Sequence, residues 1–221
     1  MRTKLLILAT LLIWATGAVS LSAQKLVPAP IELPKPGTEG TPSNLNIPNL
    51  EKLSTKPRAP FLVPEGVTNV AKGKTVTSSE KDPIVGNLGM ITDGDTELVE
   101  GNNVELGPGA QWVAIDLGAP HEIYGILFWH TFQPRVYFSV VVQTADDAMF
   151  TQNLQTWFNN DSDNKTGHGA GKNLNYIDTY EGKLVDAKGV KARYVRLYSN
   201  GNNANKLNHY VEVEIFGKAA K

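Results

Sequence analysis

There is no cysteine anywhere in the chain. Disulfide staples, thiolate metal sites, a cysteine nucleophile and a lipid-modified bacterial N-terminus are excluded with it. Stability outside the cell must then come from core burial or a bound metal. An excess of charge of either sign is lacking too: 21 Lys and Arg stand against 22 Asp and Glu. That balance gives no bulk electrostatic reason to expect a nucleic-acid partner. Long helical periodicities are also missing, whereas Asn is plentiful and 20 glycines are spread along 221 residues. This composition favours an all-β fold with elaborate loops.

What is present begins with a three-part N-terminus. Arg2 and Lys4 precede the apolar run Leu5 to Trp14, and small residues follow. The run is roughly ten residues, about half of what a spanning helix needs, so residues 1–23 are expected to be an export signal cleaved after Ser20 or Ala23. Membrane insertion after cleavage is not expected, and the product should be secreted, periplasmic or held at the cell surface. Residues 24–65 then carry Pro28, Pro30, Pro34, Pro36, Pro42, Pro48, Pro57, Pro60 and Pro64 with few aromatics. Prolines at that density remove backbone donors and favour extended geometry, which predicts a disordered, semi-rigid tether. Its end, Pro60 to Pro64, reads as an entry strap onto a folded domain over 66–218.

Within that domain the apolar residues alternate. Val195 and Leu197 alternate with Tyr194, Arg196 and Tyr198; Val211, Val213 and Ile215 alternate with Glu212 and Glu214. Period two puts one set into a core and the other toward water or a neighbour. The asparagine-rich loop 199–205 between the two runs tolerates left-handed backbone. Further strands are expected over Gly73–Ser79, Gln111–Gly118, His121–His130 and Arg135–Thr144.

Taken in order, these segments resemble a known family. Asn69-Val70-Ala71 with Gly73-Lys74, then Trp112-Val113 with Ile115-Asp116-Leu117-Gly118, Ile123 with Ile126, Arg135 with Tyr137, Ala192-Arg193-Tyr194-Val195-Arg196-Leu197, and a last strand ending Phe216-Gly217 are similar to discoidin domains, also called coagulation-factor type C domains. That family includes the galactose-binding-like carbohydrate-binding modules. The resemblance spans about residues 67 to 217 and implies a jelly-roll β-sandwich, with the opening segment beside the closing strand. It departs at 158–172, a longer and more polar insertion dense in oxygen ligands.

Three sites follow as expectations. Asp93-Gly94-Asp95 offers two carboxylates around a glycine bend, the oxygen-rich turn that hard cations prefer. The resemblance adds Glu212, with main-chain carbonyls of Met90 and Val211, as ligands of a structural calcium (Ca2+). Leu98 stands where the family has a threonine ligand. Asp161 to Asn164 begins like a second calcium loop, but Lys165 occupies the third ligand position, so a solvated, self-bonded loop is expected there. For a sugar, Trp129, His130, Phe132 and Arg135 combine an apolar platform with fixed donors, and Asn208, His209 and Tyr210, just before the last strand, form a second polar-aromatic group. Catalysis finds no support. The four histidines, His121, His130, His168 and His209, stand in no nucleophile motif, and no carboxylate pair suggests glycoside cleavage. The expected function is therefore non-catalytic recognition of carbohydrate or a surface glycan through loops at one end of the sandwich. The rival is a protein-binding or cell-surface adhesion module without sugar specificity.

Overall fold

The computed structural model describes residues 24–37, 40–42, 44–54 and 56–220. The expected export signal lies outside them. Among the described residues, no helix is long and apolar enough to cross a membrane.

Two short strands come first, β1 (Leu26–Pro28) and β2 (Leu62–Pro64), then β3 (Thr68–Asn69), β4 (Thr75–Ser78) and β5 (Val104–Leu106). The long β6 (Gln111–Trp129) is followed by β7 (Val141–Ala145), β8 (Gln155–Asn159), the long β9 (Lys183–Ser199), β10 (Asn208–Tyr210) and β11 (Glu212–Ala219). The main sheet runs β3-β11-β6-β9-β7-β8, with β4 also on β6. Strands β6 and β9 pair antiparallel along most of their length, with register shifts between Asp116 and His121 and between Ile123 and Gly125. The first half of β6 takes β4 and its second half takes β11. The shift between Asp116 and His121 falls where β6 changes partner from β4 to β11, and bulges of this kind bend the long strands. The β5–β10 pair adds a small sheet of its own.

The alternation expected from sequence sets the core. Val113, Ile115, Ile123, Ile126, Phe128, Val195, Leu197, Val213 and Ile215 all belong to one buried cluster. Each large apolar side chain so buried contributes about 1.5–3 kcal/mol, the term on which a chain without disulfides depends. The opening segment does lie beside the closing strand: Asn69 and Thr68 pair with Phe216 and Gly217, and Val70 N–H donates to the Ile215 carbonyl (2.8 Å).

The described part of the 24–65 stretch contacts the sandwich at several points. It is fastened to the sandwich as a strap. Strand β1 pairs with β2, and Val63, with Ala29, Ile31 and Phe61, packs on the outer face of β6 and β11 against Leu127, Trp129 and Phe216. Phe61 lies so close to Gly125 that a Cβ there would sit 2.7 Å from its ring. Its prolines suppress regular structure without preventing docking, since the fastenings use isolated backbone groups and a few side chains.

Candidate functional site

The loops at the Trp129 end of the sandwich build a small pocket of about 160 Å³ between 131–134, 178–180 and strap residues 36, 37, 40 and 41. Phe132, Pro134, Tyr180 and Pro36 supply apolar wall; Thr131 and Asp178 supply polar groups. Asp178 is buried. Its Oδ2 accepts the His130 N–H (2.8 Å), while Oδ1 has no hydrogen-bond partner. Burial pushes its carboxyl up to about 7, against the backbone amides of His130 and Thr131 and the Lys183 charge, which favour the carboxylate. A buried oxygen without a partner is costly, and here it belongs to a side chain that lines a pocket.

The sequence-expected sugar residues divide. Phe132 and Arg135 are half-buried at this end, and Phe132 lines the pocket. The others are core residues, a correction to the expectation. Trp129 is fully buried, and its indole N–H donates to the Tyr180 carbonyl (2.9 Å). His130 is fully buried and stacked on Tyr137 (centroids 3.9 Å apart). Its Nδ1 lies 2.8 Å from the His209 carbonyl and its Nε2 3.0 Å from the Tyr176 hydroxyl. A carbonyl only accepts, so Nδ1 carries the proton and Nε2 accepts from Tyr176. Burial lowers this imidazole to about 3, so it stays neutral. Asn208 donates to the Gly107 and Gly109 carbonyls and accepts from Gly201 N–H. His209 bridges the Tyr137 hydroxyl (2.8 Å) and Glu105 (3.0 Å). Each has found its polar partners inside the protein and presents no face to a ligand.

The calcium expectation meets a mixed geometry. Glu212 is fully buried, and neither carboxylate oxygen has a hydrogen-bond partner. Burial first, and then the charges of Asp93, Glu214 and Asp95, push Glu212 up to about 9. Glu214 on the same face is raised to about 7, again chiefly by burial, and its Oε2 is also unpartnered. Asp93 and Asp95 are exposed, and each gives an oxygen to the turn: Asp93 Oδ1 accepts Asp95 N–H (2.8 Å) and Asp95 Oδ1 accepts Glu97 N–H (2.9 Å). Among the described residues no three His, Cys, Asp or Glu side chains converge as a ligand set. The two orphan oxygens of Glu212, under the charges of Asp93 and Asp95, leave a buried carboxylate whose charge a proton or a cation would neutralise.

Sequence reasoning missed Asp178, which stands in an unremarkable Tyr-Ile-Asp-Thr run. The 158–172 insertion is self-bonded as expected, but Asp161 is buried, not solvated: it accepts from Lys165 N–H (3.0 Å), Thr166 N–H (2.7 Å) and the Thr166 hydroxyl (2.6 Å).

No family model matches the chain, and no curated protein matches it. Solved structures do. A family 89 glycoside hydrolase from Clostridium perfringens in complex with PUGNAc is 20% identical, with a TM-score of 0.52 over 69% of this chain and 15% of that one. The same hydrolase with 2-acetamido-1,2-dideoxynojirmycin gives 19% and 0.51 over the same shares. A CBM32 produced by C. perfringens, in complex with GlcNAc-α-1,4-galactose, is 15% identical with a TM-score of 0.49, covering 70% of this chain and 96% of its own. The matched region thus spans about 15% of the glycoside hydrolase chains. The chain shares its all-β fold with the matched region of the glycoside hydrolase.

Proposed function

We propose that this chain is an exported, non-catalytic carbohydrate-binding module whose ligand enters the pocket at the Trp129 end. One observation carries the reading: the pocket walled by Phe132 and Tyr180 is also lined by Asp178, a buried carboxyl group with one unpartnered oxygen. Sugars are recognised by this pairing of an apolar wall with a few fixed polar groups. Calcium belongs to the same proposal: Glu212, Asp93 and Asp95, with the Met90 and Val211 carbonyls, would hold it and fix the turn behind the pocket. Bound there, the ion supplies charge neutralisation and rigidity only.

A glycan array probed with the wild-type chain and with Asp178→Asn, each with and without chelator, tests this. Binding of some glycan by the wild type, weakened about tenfold or more in the variant, is the expected result. Silence on all glycans, with capture of a surface protein instead, would move the function to the adhesion class.

A further inference from the structure

Three clefts on one side of the molecule share walls. The end pocket and a larger cleft of about 680 Å³ both touch Thr41, Thr179 and Tyr180. That cleft and a third, of about 420 Å³, both touch Glu51, Lys183 and Leu184. Each therefore adjoins the next, the larger cleft standing between the other two, with strap residues on one side and residues of the 174–186 stretch on the other.

The strap is clasped at two points along this line. At one, Glu51 N–H donates to the Asn175 carbonyl (2.8 Å), Asn175 N–H to the Asn49 carbonyl (2.9 Å), and the Asn175 amide side chain to the Pro48 carbonyl (2.9 Å). At the other, Arg58 N–H donates to Glu181 Oε1 (2.9 Å) and its guanidinium to the carbonyls of Glu181 (2.6 Å) and Gly182 (3.1 Å). Between the clasps, exposed Lys52, Leu53, Lys56 and Pro57 line the larger cleft.

The charge of the cleft is lopsided. Lys52, Lys56, Arg58 and Lys183 face two carboxylates, Glu51 and Glu181. Glu51 is taken up by Lys183 (3.2 Å), and Glu181 accepts the Arg58 amide. Among the described residues, Lys52 and Lys56 make no ion pair with any carboxylate. A groove longer than one sugar ring, with two ammonium groups to spare, fits a chain that repeats a negative charge.

Resting on the carbohydrate reading, we propose that this module binds an internal stretch of an anionic polysaccharide, carboxylated or sulfated. The end pocket takes one sugar residue, and the strap-walled groove takes those beyond it. The strap is thus half of the binding site.

Isothermal titration of the full chain tests the proposal with three ligand series of one to six residues: oligogalacturonates, sulfated galacto-oligosaccharides and neutral galacto-oligosaccharides. At least one anionic series should tighten by about tenfold or more with length, about 1.4 kcal/mol, while the neutral series gains much less. A Lys52→Gln, Lys56→Gln double variant should lose the gain and keep the affinity for the single sugar. Both side chains are exposed, so the fold does not depend on them. Equal affinity at every length, or an equal gain in the neutral series, overturns the groove and leaves the pocket reading standing. No binding to any member overturns both.

Discussion

A carboxyl group shut away from water with one of its oxygens unmet has little reason to stay charged. Asp178 is in that position, raised to about 7 chiefly by burial. The sign of its effect on stability follows from linkage: the native chain holds the proton more tightly than the unfolded chain, whose aspartate titrates near 3.8. Its contribution is therefore most favourable in acid and is lost as pH rises from about 4 through about 7. Asp178→Asn removes the titration and keeps an acceptor for the His130 amide. Urea denaturation at pH 5 and pH 8 should show the variant gaining on the wild type as pH rises, by on the order of 3 kcal/mol. A difference that does not change with pH would show that Asp178 stays ionised in the folded chain. His130, equally buried but lowered from 6.5 to about 3, is protonated only in the unfolded chain over this window, so it favours folding as pH rises through about 6.5, and it cancels when variant and wild type are compared.

At the scale of elements, alternation reports which residues share a face and says nothing of what covers it. The inner faces of β6, β9 and β11 were legible for that reason. The outer face of β11 was not: Glu212 and Glu214 alternate with core residues as solvent-facing glutamates would, yet they sit buried on the face that the strap covers. Only the end of the strap, Pro60 to Pro64, was legible; the fastenings before it are single contacts with no period, such as Arg58 on two carbonyls. Trp129, His130, Asn208 and His209 have the residue types of a sugar site, and composition alone cannot separate a ligand contact from an internal hydrogen bond. The turn after Tyr180 ties these layers together. Gly182 has φ +63°, and a Cβ there would meet Trp129 Cε2 at 2.7 Å and the Phe128 carbonyl at 2.9 Å. Gly182→Ala combines left-handed strain with overpacking against a buried indole, and should cost on the order of 3 kcal/mol. Thermal denaturation checks it, and a shift under about 1 kcal/mol would mean the turn relaxes freely. The same variant should loosen the strap, because Arg58 bonds to the Gly182 carbonyl.

For the whole molecule, the question is how a domain without disulfides carries a buried anionic patch. Glu212 and Glu214 leave three oxygens between them unpartnered, and Asp93 and Asp95 add to the repulsion at Glu212. Either protons or a cation must neutralise the patch, and above neutral pH protons become scarce. A cation that binds only the folded chain stabilises it by mass action, about 2.7 kcal/mol at a hundredfold excess over Kd. For a domain of this size that is roughly a 5–10 °C rise in Tm. Melting curves at pH 8 in chelator and in millimolar calcium should therefore separate by about that much. Glu212→Gln supplies the control: it removes the buried charge, so the chelated variant should melt above the chelated wild type, and calcium should add little further. Coincident wild-type curves would assign the patch to protons alone. A calcium shift that survives in Glu212→Gln would place the ion elsewhere and leave the 93–95 turn as the Asx-bonded loop its hydrogen bonds already describe.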